Sequence, residues 1–292
     1  MAHITVLKDE AVAALNAERA GIIVDCTYGS GGHSAAILAR LPEQGRLVSL
    51  DVDQTALEAH PATDPRHTLV CANFRDLRET LAAHNIEKVD GVVADLGWRS
   101  EQFQASNKGF SFSAKEPLVM TFGDPETHLF TAHEVVNEWD EANLADIIYG
   151  YGEERAARRI ARAIVAAREV APIETAAQLA EIVAGAVPTF RRRQGIHPAT
   201  KTFQAIRIAV NDELGALNAL LADGFALLAP GGRLAIITFH SLEDRLVKQA
   251  FKGYAHDQLG VLVHKKPITP STAEVAKNPR ARSAKLRIIE KL

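Results

Sequence analysis

The stretch Ile22-Ile23-Val24-Asp25-Cys26-Thr27-Tyr28-Gly29-Ser30-Gly31-Gly32-His33-Ser34 decides the fold. A short β-branched run passes into a glycine-rich turn, and Ser34 to Leu41 then reads as a helix. The same grammar repeats downstream. Arg46 to Asp51 reads as a strand before a helical stretch from Gln54, His67 to Ala72 as a strand before Asp76 to His84, and Val89 to Leu96 as a fourth strand. Runs that are apolar on both pleats and separated by helices belong to a parallel sheet covered on two faces, so the fold class is α/β.

That pattern stops at Gly97. A polar, aromatic-dotted loop to about Pro125 leads into helical periodicity over Ala132–Val136, Glu141–Tyr149, Glu153–Glu169 and Thr175–Ala186. No strand alternation interrupts it, which predicts an all-helical insertion at residues 101–202, between sheet-forming segments 1–100 and 203–292. A long helix from about Thr202 to Leu228 and a fifth core strand, Arg233 to Phe239, resume the α/β order. Leu262–Ile268 and Lys285–Ile289 are two further strand candidates.

The 292 residues are 47% hydrophobic and 24% charged, ample for a buried core and far from disorder. Apolar stretches are much shorter than the ~20 residues of a membrane span, and Met1 to Asn16 lacks a signal-peptide core. Two cysteines, Cys26 and Cys71, sit in apolar runs; they read as small core residues in a reducing, cytoplasmic setting. A net charge of −3 excludes nucleic-acid binding by bulk charge but not by a local basic face. Three clusters qualify: Arg155, Arg158, Arg159, Arg162 and Arg168 in one helical run; Arg191, Arg192 and Arg193; and a looser set of Lys277, Arg280, Arg282, Lys285 and Arg287. Each alone reads first as a solvated surface, and only together do they allow a nucleic-acid partner.

The glycine turn lacks the third glycine of a dinucleotide fingerprint and the lysine of a P-loop. Asp51 ends the second strand, twenty residues after Gly31, where a carboxylate can accept hydrogen bonds from both ribose hydroxyls. A turn without a phosphate signature, joined to a ribose acid, fits an adenosine bearing an amino-acid tail, S-adenosylmethionine. The alternative is a tight turn and a strand-end acid in another α/β fold. Asp25, Phe74 and Asp95 fall on the same carboxyl edge, where such sheets bind ligands. Phe74 can cover an adenine face or serve as a core aromatic. The run Asp95-Leu96-Gly97-Trp98 suits amine methylation: a carboxylate and a backbone carbonyl draw on both N–H groups of a conjugated exocyclic amine, localise its lone pair and accept its proton. Trp98 can stack on an unstacked base or anchor the insertion. His33, His197 and His240 have no two-histidine helical spacing or cysteine partner, so no metal is expected.

Longer strings carry a family likeness. They include His3-Ile4-Thr5-Val6-Leu7, Asp25 through Ser34, Asn73-Phe74 and Val89-Asp90-Gly91. They continue through Gly109-Phe110-Ser111-Phe112, Tyr151-Gly152-Glu153-Glu154-Arg155, Ile196 through Ala205, Asn211-Asp212-Glu213-Leu214, and Phe239 through Arg245. Over nearly its whole length the chain resembles the bacterial MraW family, the 16S ribosomal RNA (cytosine-N4)-methyltransferases also called small-subunit methyltransferase H. The resemblance implies a Rossmann-like class I S-adenosylmethionine-dependent methyltransferase sheet whose helical insertion helps recognise RNA. It implies cofactor contacts at Gly31, Gly32, His33, Asp51, Phe74, Asp95 and Gln102, while Asp95 and, by its own chemistry, Trp98 are the candidates for the reacting base. RNA contacts are expected at Arg155, Arg158, Arg162, Arg191, Arg192, Arg193, His197, Lys201 and His240. The implied partner is 16S rRNA or the small ribosomal subunit, with homodimerisation left open and no membrane.

Two segments depart from the family pattern. Val-Ser-Ser-Pro-Gln-Leu-Asp is replaced by Trp98-Arg99-Ser100-Glu101-Gln102-Phe103-Gln104, and Pro-Leu-Asp-Met-Arg-Met-Asp by Pro117-Leu118-Val119-Met120-Thr121-Phe122-Gly123. They leave two alternatives open: a methyltransferase with another RNA target, and an RNA-binding assembly protein that keeps the cofactor fold.

Overall fold

Strands that are apolar on both pleats require a helical layer on each side, and the early runs lie between two such layers. The structure, a computed structural model, describes residues 4–96, 107–112, 115–187 and 197–292. In chain order the helices are α1 (Lys8–Ala14), α2 (Gly32–Leu38), α3 (Gln54–Ala59), α4 (Leu77–Ala83), α5 (Ala132–Glu138) and α6 (Glu141–Gly150). They continue with α7 (Ala157–Arg168), α8 (Ala176–Ala186), α9 (Thr200–Asn211), α10 (Glu213–Leu227), α11 (Ser241–His256) and α12 (Thr272–Lys277). The strands are β1 (Ile22–Asp25), β2 (Arg46–Asp51), β3 (His67–Cys71), β4 (Val89–Asp95), β5 (Leu228–Thr238), β6 (Gly260–Leu262) and β7 (Lys285–Lys291). They form one sheet in the order β3-β2-β1-β4-β5-β7-β6, with β1 to β5 parallel and β7 antiparallel to both neighbours.

The chain divides into two units, Met1–Trp98 with Leu214–Leu292, and Arg99–Glu213. In the first, Ile23, Leu47, Val93, Ala235 and Ile237 pack on one face with Val12 and Ile37. Val24, Val48, Val92, Leu234 and Ile236 pack on the other with Leu77, Leu81, Leu217 and Phe251. Each of the Val, Leu and Ile side chains among them contributes about 1.5–3 kcal/mol when fully buried. The register sets Asp25 opposite Ser49 and Val93, and Asp95 opposite Ile237, so the carboxyl ends of β1, β2, β4 and β5 share an edge.

The second unit is helical throughout α5 to α9. Thr131 and Thr175 begin α5 and α8 with reciprocal capping boxes, and the Asp140 side chain accepts the Asn143 N–H at the start of α6. Such caps satisfy N–H groups left open at helix starts.

Several elements differ from the sequence reading. The long helix expected from Thr202 to Leu228 is two helices, because Asp212 adopts φ 42° and turns the chain between α9 and α10. Helix α9 packs on α5 and α6, so the return to the first unit falls after Glu213 rather than at 202. Leu228 already pairs with Val89, and Ala229 to Gly232 bulge out before Arg233 pairs with Gly91; Gly231 takes φ 79° there. Helices α1, α11 and α12 occupy stretches read without an element. The candidate strand at 262–268 reduces to the end of β6 and a single bridge from Ile268 to Leu286. Cys26 is buried, whereas Cys71 is exposed, because it closes β3 at the open edge of the sheet. Among the described residues no helix is long and apolar enough to cross a membrane.

Candidate active site

The carboxyl edge of the first unit gathers most of the sequence-predicted residues that are described. At its centre lies the turn after β1. Gly29 and Gly31 have φ 58° and 77°, a region open to glycine at little cost. The Gly29 N–H donates to Asp51 Oδ2 at 2.8 Å, and the Asp53 N–H donates to Asp51 Oδ1 at 2.9 Å. Asp51 therefore ties the turn to the end of β2.

Beneath the turn runs a polar chain that sequence reasoning missed. Asp25, 1% exposed, accepts from Ser34 Oγ at 2.7 Å; Ser34 Oγ lies 2.8 Å from Ser49 Oγ, and Ser49 Oγ 2.8 Å from His67 Nε2. An ionised carboxylate only accepts, which orients every link: Ser34 donates to Asp25, Ser49 to Ser34, and His67 Nε2–H to Ser49. Burial holds the His67 pKa below its ordinary value, against the opposing pull of Asp25 and Asp64. Burial, then the nearby Asp25 charge, keeps the Cys26 thiol protonated by pushing its pKa well up.

His33 opens α2 at 4% exposure, with Nε2 3.2 Å from the Val6 carbonyl. A carbonyl only accepts, so Nε2 carries the proton and Nδ1 faces Asp95 Oδ2 at 3.9 Å. The Asp95 N–H donates to Thr27 Oγ1 at 2.7 Å, fixing the end of β4 against the glycine turn. Gly32 is pressed by the N-terminal segment: an added Cβ would stand 1.8 Å from Thr5 Oγ1. Phe74 is half-buried against the core and opens a short 3-10 turn after Asn73.

His240 caps α11, with Nδ1 accepting the Glu243 N–H at 3.4 Å and Nε2 3.1 Å from Glu243 Oε1. In the helical unit, Arg155, Arg158, Arg159 and Arg162 are exposed, whereas Arg168 donates to the Val136 carbonyl at 2.8 Å and acts as a strut. Exposed His197 stacks on Phe112 with centroids 4.4 Å apart, and exposed Lys201 donates to the Glu153 carbonyl at 2.9 Å. The divergent Pro117–Gly123 segment is folded into this unit. Asn211 accepts from the Phe122 N–H and donates to the Met120 carbonyl, both at 2.8 Å, while Thr121 is fully buried. Trp98, Gln102, Arg191, Arg192 and Arg193 lie outside the described residues.

A glycine-rich cradle after the first strand, with carboxylates closing the second and fourth, suits S-adenosylmethionine better than a phosphate ligand. With the strand order above it places the molecule among the Rossmann-like S-adenosylmethionine-dependent methyltransferases. The chain belongs to the MraW methylase family, whose model matches residues 1–292. It is 44% identical to ribosomal RNA small subunit methyltransferase H of Brevibacillus brevis, over 99% of this chain and 98% of that protein. It is 47% identical to the protein of the same name from Symbiobacterium thermophilum, over 99% and 96%. An rRNA methylase structure from Streptococcus thermophilus aligns over 100% of this chain and 99% of that one, at 14% identity and a TM-score of 0.40.

Proposed function

We propose that the chain methylates the exocyclic N4 amine of a cytidine in the decoding region of 16S rRNA. The observation that carries this reading is Asp95, a carboxylate at the end of β4 whose Oδ2 lies 3.9 Å from His33 Nδ1. Gly31, Gly32, His33, Asp51, Phe74, Asp95 and Gln102 hold the donor, and S-adenosylmethionine bound there supplies a methyl group already activated by its sulfonium. The work left to the chain is orientation and proton transfer. Asp95 and the backbone carbonyl beside it accept the two amine N–H groups, and Asp95 takes the proton released as the C–N bond forms. His33, its Nε2–H anchored on Val6, stands beside Asp95 with Nδ1 3.9 Å from Oδ2. Trp98 stacks on the pyrimidine. Arg155, Arg158, Arg162, Arg191, Arg192, Arg193, His197, Lys201 and His240 position the RNA. The names of the relatives support a small-subunit RNA substrate.

The test is transfer of labelled methyl to small subunits lacking the modification, with the product nucleotide mapped by mass spectrometry. Asp95→Asn keeps an acceptor but loses the base; its transfer rate is expected to fall about 10²–10⁴-fold with S-adenosylmethionine affinity within a factor of about three. A wild-type rate removes Asp95 from catalysis. Product at another nucleotide assigns the chain to a different target, and donor binding without product makes it an assembly protein.

A further inference from the structure

We propose that the connection between β6 and β7, residues 263–284, is a docking surface for the phosphate backbone of the substrate RNA, built into the methyltransferase unit at its reactive edge. This rests on the reading that the substrate is RNA.

The register fixes the place. Strand β7 is antiparallel to β5 and begins with Lys285 opposite Thr238, the last residue of β5, whereas Asp95 lies opposite Ile237. The start of β7, and the chain entering it, therefore lie at the edge that carries Asp95. Ile268 exchanges two backbone hydrogen bonds with Leu286, both 2.9 Å, pinning the connection to that end of the strand. The Glu274 carboxylate accepts the Leu7 N–H at 2.8 Å, and Asn278 Nδ2 donates to the Ile4 carbonyl at 3.1 Å. The bound segment is the one whose Val6 carbonyl meets His33 and whose Thr5 presses on Gly32.

Charge supplies the partner. This connection carries five basic residues, Lys265, Lys266, Lys277, Arg280 and Arg282, against one acid, in a chain whose net charge is −3. All five are exposed, and the single acid, Glu274, is occupied by a backbone N–H. Among the described residues Lys265, Lys266, Lys277 and Arg282 make no ion pair. Lys285 and Arg287 do not join them, since both bind Asp244, at 3.0 and 2.7 Å. An un-neutralised positive surface repels itself, and a polyanion relieves that repulsion while releasing its own counterions.

The experiment uses the full-length chain and small-subunit RNA in two paired variants, Lys265→Glu with Lys266→Glu, and Lys277→Glu with Arg282→Glu. Lys252→Glu, an exposed charge near the other end of α11, is the control. Each pair is expected to weaken RNA binding about tenfold near 0.15 M salt and to reduce the slope of log affinity on log salt by about 1.5. The KM for RNA rises while kcat, the melting temperature and donor affinity by calorimetry stay at wild-type values. Unchanged affinity and slope in both pairs, or an equal loss in the control, overturns the proposal. Wild-type protein that binds no small-subunit RNA overturns the RNA reading itself.

Discussion

Gly32 is held to glycine by a neighbour rather than by its own backbone, because an added Cβ meets Thr5 Oγ1. Gly32→Ala is expected to cost about 1–3 kcal/mol in urea unfolding, the range for overpacking. Thr5→Gly in the same chain should return most of that loss, and additive losses would mean the two sites are independent. His67 makes the second argument at this scale. Its pKa is lowered in the folded state from the ordinary 6.5, so the unfolded chain binds the proton more readily. The stability it contributes is fully present above 6.5 and declines as pH falls through the lowered folded value. His67→Gln keeps a side-chain N–H donor and cannot titrate. Comparing unfolding free energies near pH 7.5 and pH 5.5 should show a smaller acid loss in the variant; an identical loss would acquit His67.

Helix α9 joins α10 through one left-handed residue, Asp212, and the junction is stapled by Arg207. Arg207 Nε and Nη2 meet the Glu213 carboxylate at 2.5 and 2.8 Å, with side chains 5% and 12% exposed. Removing the Glu213 charge from a largely buried pair is costly, so Glu213→Gln is expected to lose about 3 kcal/mol in denaturant unfolding. A loss below about 0.5 kcal/mol would show that water reaches the pair. The junction also shows why the sequence reads one helix there. Helical periodicity continues in phase across Asp212, and a single φ reversal leaves no mark in the apolar pattern. The parallel strands are legible because both of their faces are buried, which writes unbroken apolar runs into the sequence. Asp51 and Asp95 are legible because a carboxylate at a strand end stands out from such a run. Ser49 and His67 are not: each is an ordinary polar residue in a strand until the register brings it beside Ser34.

At the scale of the molecule, the division of labour between units is itself testable. The exposed arginines of α7 lie in the helical unit, whereas the glycine turn, Asp51 and Asp95 lie in the other. Arg158→Glu with Arg162→Glu should lower RNA affinity and its salt slope, by about 0.7–0.9 per lost phosphate contact. The same variant should keep the thermal stabilisation by S-adenosylmethionine, about 2.7 kcal/mol at a hundredfold excess over Kd. Loss of that stabilisation would mean that the substitutions disturb the sheet. The orientation of the hydrogen-bonded chain from His67 to Asp25 carries one more consequence. The hydroxyl protons of Ser34 and Ser49 are each committed to a single acceptor and shielded from bulk water. Hydroxyls held in this way exchange slowly enough to give their own proton resonances, so these two serines offer native NMR reporters directly under the donor cradle.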